Sequence, residues 1–250
     1  MPLYFIGLGL NNEKDITVNG LEAVKNSDLV YLENYTSVLN CSKADLEKFY
    51  GKKIIPVNRN MVENDDNEII NNSKNKSVAF LVAGDSLAAT THIDLYLRAK
   101  KEGIKCFVIH NSSILTTVGV TGLQLYKFGK TTSIPLENEN VEVPYDVLKG
   151  NLSLGLHTLF LLDLNPEEEK FMKVNDAIRY LLKIELKRNE KIFSEKTLCV
   201  GCARVGSESQ LIKARSAKEL LKFDFGKPVH CLIVPGKLHF MEEEALSMYK

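Results

Sequence analysis

The residues with the most chemical promise stand where short apolar runs end. Gly7-Leu8-Gly9-Leu10 closes the first such run, Ala83-Gly84-Asp85-Ser86-Leu87-Ala88-Ala89-Thr90-Thr91-His92 follows another, and His110-Asn111-Ser112-Ser113-Ile114 a third. Small side chains let a ligand approach the backbone, and a carboxylate such as Asp85 can accept hydrogen bonds from a ligand's hydroxyl or ammonium groups. Ser112 and Ser113 add hydroxyls. In the second half the same layout recurs at Leu162-Asp163, Ala203-Arg204-Val205-Gly206 and Pro228-Val229-His230. Taken singly, each segment reads as readily as a turn, with Asp85 near a helix cap. Their weight is collective, because all fall at expected strand ends or entries.

Other chemistries find less support. Gly7-x-Gly9 lacks the third glycine of the dinucleotide fingerprint, the following helix is delayed to about Thr17, and Glu33, about 24 residues beyond Gly9, is a loose match to a ribose-binding acid. Cys199-Val200-Gly201-Cys202 has no second pair or neighbouring histidines to complete a zinc site, and its flanks read as a buried strand. His92, His110, His157, His230 and His239 show no H-x-x-x-H spacing, so no metal site is expected. Ser112 and Ser113 lack a G-x-S-x-G elbow, which argues against a hydrolase.

Eight β-branched or aromatic runs must position these segments: Leu3 to Leu8, Leu29 to Leu32, Ile54 to Val57, Val78 to Val82, Cys106 to Ile109, Thr158 to Leu162, Leu198 to Val200 and Val229 to Val234. Several are apolar at consecutive positions, as strands buried on both faces are. Helical spacing separates them: Ile93, Tyr96 and Leu97 before Gly103; Val174, Ile178, Leu181, Leu182 and Leu186 after an expected Asn175 cap; and a capping box at Ser216-Ala217-Lys218-Glu219. The alternation makes the fold class α/β. In open α/β sheets ligands bind at the carboxyl ends of strands, where the candidate segments lie.

Periodicity is lost around Gly129-Lys130-Thr131-Thr132-Ser133-Ile134-Pro135 and through Glu142, which places a junction between an N-terminal α/β domain, 1–128, and a C-terminal one, 129–250. The Asn-rich stretch Asn58 to Asn75 is interrupted by Met61, Ile69 and Ile70 and reads as a poorly formed surface helix. Mixed charges from Glu167 to Lys196 read as a solvated helix surface.

Composition narrows the class further. With 250 residues, 44% hydrophobic, 26% charged and seven prolines, the chain is neither disordered nor a small disulfide scaffold. Its 32 basic and 32 acidic side chains cancel, so no global potential draws it to nucleic acid or an anionic membrane. Five cysteines, an odd set with Cys106, Cys199 and Cys231 in apolar runs, suit a reducing compartment. The apolar N-terminus lacks a basic lead-in and a cleavage site, and no apolar run reaches about 18 residues. A cytoplasmic protein is expected.

Many of these segments together resemble the diphthine synthases of the tetrapyrrole methylase superfamily, over nearly the whole chain. They are Leu3 to Leu10, Asp15-Ile16-Thr17-Val18, Tyr35-Thr36-Ser37, Gly84-Asp85 with Ala89-Thr90-Thr91-His92, Val108-Ile109-His110-Asn111, Gly122 to Gly129, His157-Thr158-Leu159 and Ala203-Arg204-Val205-Gly206. The resemblance implies a two-domain fold with S-adenosylmethionine in the interdomain cleft, a homodimer, and methylation of an aminocarboxypropyl-histidine on elongation factor 2 in diphthamide biosynthesis. Archaeal members trimethylate the amino group; eukaryotic members also esterify the carboxylate. Asn111, Gly122-Leu123-Gln124-Leu125-Tyr126 and Leu198-Cys199-Val200-Gly201 look like the eukaryotic branch, hence diphthine methyl ester as product.

Carried over by position, the family's cofactor contacts fall on Leu10, Asp85, Ala88, Ser113, Ile114, Leu162, Val205 and His230. Ser86 departs from a usual proline, Ala88 replaces another small or apolar residue, and the stretch between Leu164 and Met172 is shorter than in eukaryotic relatives. Neither metal nor catalytic residue is assigned. The remaining alternatives are a same-fold methyltransferase acting on a corrin precursor or ribosomal RNA, a nicotinamide-dependent reductase, and a relative that binds elongation factor 2 without turnover.

Overall fold

The computed structural model describes residues 1–63 and 68–250. The chain divides into two compact units, Met1–Leu115 and Thr116–Lys250. This division lies upstream of the junction expected at Gly129. The intervening segment belongs to the second unit because it is fastened to that unit's last helix: the Gln124 N–H donates to the Glu242 carboxylate (2.9 Å), and the Tyr249 hydroxyl donates to the Val120 carbonyl (2.7 Å).

In the first unit the order is β1 (Pro2–Gly7), α1 (Val18–Lys25), β2 (Leu29–Glu33), α2 (Lys43–Tyr50), β3 (Ile55–Val57), α3 (Arg59–Glu63), α4 (Glu68–Ser73), β4 (Val78–Val82), α5 (Ile93–Lys101) and β5 (Lys105–Ile109). The strands form one parallel sheet in the order β3-β2-β4-β1-β5. Central β4 is buried at every position, as its unbroken apolar run Val-Ala-Phe-Leu-Val requires. Alternate residues serve opposite faces. Leu3, Phe5, Val78 and Phe80 pack with Ile69, Ile70, Leu95 and Ala99 of α4 and α5, while Ile6, Ala79 and Leu81 pack with Ala23, Val24, Leu46 and Tyr50 of α1 and α2. Truncating Phe80 to alanine removes a fully buried ring that meets Phe5 edge-on, a loss of about 3–5 kcal/mol.

The Asn-rich stretch contains two short helices, α3 and α4, that bury Val62, Ile69 and Ile70; its residues 64–67 lie outside the described residues. Cys106 is only half-buried, because β5 is an edge strand.

After α6 (Ile114–Thr117), which spans the division, the second unit runs β6 (Thr132–Ile134), α7 (Val143–Ser153), β7 (Thr158–Leu162), β8 (Leu164–Asn165), β9 (Lys170–Phe171), α8 (Val174–Arg188), β10 (Leu198–Ala203), β11 (Leu211–Ser216), α9 (Ala217–Leu220), β12 (His230–Val234) and α10 (Phe240–Ser247). Its main sheet, β11-β10-β12-β7-β6, is mixed: β6 and β7 are parallel, and the other pairs are antiparallel. The short stretch after Leu164 is a two-stranded hairpin, β8-β9.

Two expectations about α8 change. Lys173, not Asn175, occupies the cap position, and its N–H donates to Asp176 (3.0 Å). Asn175 instead donates to the carbonyls of Leu220, Leu221 and Phe223, tying the helix start to the turn after α9. Val174, Ile178 and Leu181 form the buried stripe, but Ile184 continues it and Leu186 faces outward, 87% exposed.

Candidate functional site

The first unit's site is built around the neighbouring ends of β1 and β4. The chain leaves β1 for the face carrying α1 and leaves β4 for the face carrying α5, so the two connections part on opposite sides of the sheet. Such a point, at the carboxyl edge, is where open α/β sheets bind ligands. Here the Gly9 N–H donates to the Gly84 carbonyl (3.1 Å), and the Gly84 N–H returns the bond to the Gly9 carbonyl (2.7 Å). Both residues have left-handed backbones, φ 78° and 80°, which glycine adopts without steric cost. A side chain at Gly84 would come within 4 Å of Leu10 and of the Ser112 carbonyl, so the loops after β1, β4 and β5 converge here.

Asp85 fastens these loops. Its Oδ1 accepts the Leu87 N–H (3.0 Å); its Oδ2 accepts the Asn111 N–H (3.1 Å) and lies 2.8 Å from His110 Nδ1. Burial pushes the carboxyl pKa up, but the two amides and the His110 ring outweigh it and hold the group below the usual carboxylate range. The carboxylate expected to meet a ligand is thus engaged mainly within the protein. Leu10 and Asn11 direct their N–H groups to Asp15 Oδ2 (3.2 and 2.9 Å), and the Ala88 N–H donates to the Asp85 carbonyl (3.2 Å). Ser113 is buried and its Oγ accepts the Leu115 N–H (3.0 Å) at the start of α6, beside Ile114.

Asn111 lies in the strand-end segment after β5, and its bonds make it a tie between loops. Its Nδ2 donates to the carbonyls of both Gly7 and Asp15 (3.0 Å each), which sets the end of β1 against the loop after β5. His92, buried beneath the Asp85 loop, has Nδ1 3.2 Å from the Ser86 carbonyl and Nε2 3.4 Å from the Tyr35 hydroxyl; burial pulls its pKa down to about 4. The Ser86 hydroxyl is buried without a hydrogen-bond partner. Glu33 is buried too, and accepts from Tyr35 and Thr36 of its own loop, which removes the acid that a nicotinamide ribose would need.

Within the second unit, Leu162 ends β7, His230 opens β12 and Val205 follows β10, and all three are buried. His230 opens β12 opposite Ala203 of β10. Its Nε2 lies 3.0 Å from the Lys227 carbonyl and must donate to it; its Nδ1 is buried and unpartnered. Burial keeps the ring neutral by lowering its pKa. Arg204, with φ 51°, holds the neighbouring loop by donating to the carbonyls of Ser209, Phe225 and Lys227. The C-x-x-C thiols are buried; Cys202 stands opposite Cys231, and the contact with Cys231 and burial raise its pKa, so neither cysteine is an exposed nucleophile.

A bare buried imidazole nitrogen left unmatched costs about 1–3 kcal/mol. At Nδ1 of His230, an amino or hydroxyl donor would satisfy it. No helix among the described residues is long and apolar enough to cross a membrane.

Comparison with known proteins agrees with this architecture. The pattern of the Tetrapyrrole (Corrin/Porphyrin) Methylases matches residues 2–221. An Arabidopsis thaliana protein named "Probable diphthine methyl ester synthase" is 48% identical over 271 aligned positions, covering 99% of this chain and 98% of the relative. A diphthine synthase of Methanosarcina mazei is 50% identical, covering 98% of this chain and 94% of its own. A crystal structure of a diphthine synthase superposes with a TM-score of 0.92 at 40% identity, covering 100% of this chain and 96% of the other. The chain therefore belongs to the tetrapyrrole methylase family and, within it, to the diphthine synthases, which are S-adenosylmethionine-dependent methyltransferases.

Proposed function

We propose that this enzyme methylates the aminocarboxypropyl-histidine intermediate on elongation factor 2, forming diphthine and then its methyl ester by four transfers. The observation that carries this reading is likeness over 98–99% of the chain to relatives bearing those names. The fourth transfer rests on the Arabidopsis relative's name and on the segments around Asn111, Tyr126 and Cys199. Leu10, Asp85, Ala88, Ser113, Ile114, Leu162, Val205 and His230 are the residues proposed to hold the cofactor. A homodimer working in the cytoplasm completes the reading, supported by the resemblance and by free thiols.

When bound, S-adenosylmethionine supplies a methyl group on a positively charged sulfur, open to in-line displacement. The protein's work is then to position and to exclude water. Asp85 serves by fixing the Leu87 and Asn111 amides, Gly9 and Gly84 by bringing two backbones into register, and His230 by presenting Nδ1 as an acceptor. The test is incubation with labelled S-adenosylmethionine and elongation factor 2 carrying the aminocarboxypropyl intermediate, followed by mass analysis. Four added methyls are expected, three would remove the ester step, and no transfer would overturn the assignment.

A further inference from the structure

Resting on that reading, we propose that His110 Nε2 accepts the protons that the substrate's amino group must shed, with Asp85 holding the ring in the tautomer that leaves Nε2 bare. Converting an ammonium to a trimethylammonium releases three protons, one for each transfer. An amine still carrying its full set of protons has no lone pair with which to attack, so each transfer waits on a proton acceptor. Ester formation on a carboxylate releases none.

Geometry singles out this ring. Three other ionisable groups at the first unit's carboxyl edge are engaged within the protein. His92 is buried with both nitrogens facing protein oxygens, Glu33 is occupied by Tyr35 and Thr36, and Asp15 by the amides of Leu10 and Asn11. His110 reaches outward, its side chain 71% exposed, while the partner Asp85 is 12% exposed.

Asp85 is ionised, so it can only accept, and His110 Nδ1 at 2.8 Å must carry the shared hydrogen. In the neutral ring Nε2 is then an acceptor. The carboxylate is itself immobilised by the Leu87 and Asn111 amides, and Asn111 by the Gly7 and Asp15 carbonyls. The ring is therefore held from behind and open in front. A proton leaves the ammonium nitrogen for Nε2, its bonding pair staying on nitrogen, and passes from Nε2 to water before the next transfer. The charged groups tied into this cluster are Asp85 from the loop after β4 and Asp15 from the turn after β1.

Two measurements test the proposal. Nitrogen-resolved NMR of the intact enzyme should show His110 at neutral pH with hydrogen on Nδ1 and a bare Nε2; the opposite tautomer overturns the proposal. Single-turnover methylation by His110→Gln across pH 6 to 9 should be slowed about 100-fold at neutral pH, the contribution expected of a positioned proton acceptor. Cofactor affinity by calorimetry should stay within twofold, and added imidazole should restore part of the rate to His110→Gly. An unchanged rate in His110→Gln, or a rate loss matched by lost cofactor affinity, overturns the assignment. Wild-type enzyme inactive on this substrate would instead sink the function reading, and the proton acceptor with it.

Discussion

Gly9 and Gly84 exchange two backbone hydrogen bonds beyond the ends of β1 and β4, where the sheet's connections part to opposite faces. That pairing closes the sheet edge with main chain alone and leaves no side chain between the loops that carry Leu10 and Asp85. The first test is Gly9→Ala. A Cβ there would stand 2.6 Å from the Asp15 Cβ, with the backbone at φ 78°. The left-handed conformation alone costs an L-residue about 1–2 kcal/mol, and Asp15 must also move from the Leu10 and Asn11 amides. A melting temperature lowered by several degrees is expected, with cofactor binding lost in calorimetry. A variant that bound as the wild type does would mean that this edge tolerates repositioning and does not shape the site.

Ser86, in the loop after β4, has its hydroxyl buried and unpartnered. A buried polar group without a partner is a net cost, so Ser86→Ala should stabilise the protein by about 1 kcal/mol. The denaturation midpoint should rise while cofactor affinity holds. A fall in affinity would show instead that the hydroxyl meets the ligand.

In the second unit Glu242 is fully buried, yet it accepts from Lys127, from the Gln124 and His239 amides and from His157 Nε2 (2.9 Å). His157 Nδ1 accepts the Gly236 N–H (2.9 Å), so the ring is neutral with hydrogen on Nε2. Burial pushes the Glu242 pKa up, but these donors prevail and bring it down to about 2. A carboxyl depressed on folding stabilises above its unfolded pKa, and that contribution is lost as pH falls through the folded one. Between about pH 5 and pH 2 stability should therefore fall by about 3 kcal/mol from this group. Chemical denaturation at stepped pH should show this slope flattened in Glu242→Gln, which is also less stable at pH 7. An unchanged acid slope would remove Glu242 as its source.

The fold was legible where burial is two-sided and obscure where it is not. Central β4 reads as five apolar residues in a row, whereas edge strand β11 alternates Ile212 and Ala214 with Lys213 and Arg215 and passes for a polar loop. Parallel β6 is only three residues long and sits among turn residues. Strand-end logic placed the Asp85 and Ser113 loops after β4 and β5, because position along a strand is a local property. That Asp85 binds His110 and Asn111 is not local, since the partners lie 25 and 26 residues away and meet only when β1 inserts between β4 and β5. Asn175 failed as a cap for the same reason: the carbonyls it serves come from 45 to 48 residues downstream.

His230 gives the sharpest test of the proposed cofactor contacts in the second unit, because its two ring nitrogens have different occupations. Nε2 serves the Lys227 carbonyl, and Nδ1 serves nothing in the protein. Replacing the ring with leucine removes an unmatched buried acceptor, which favours the folded protein, and also the bond to Lys227, which opposes it. The melting temperature without cofactor should therefore move little. With cofactor the balance differs, since a hydrogen bond formed only on binding is lost outright. His230→Leu should then weaken S-adenosylmethionine about tenfold, equivalent to about 1.4 kcal/mol. Calorimetry on the free enzyme reads this directly. Equal affinities would exclude Nδ1 as a cofactor contact, and a large drop in melting temperature without cofactor would assign the residue to the fold.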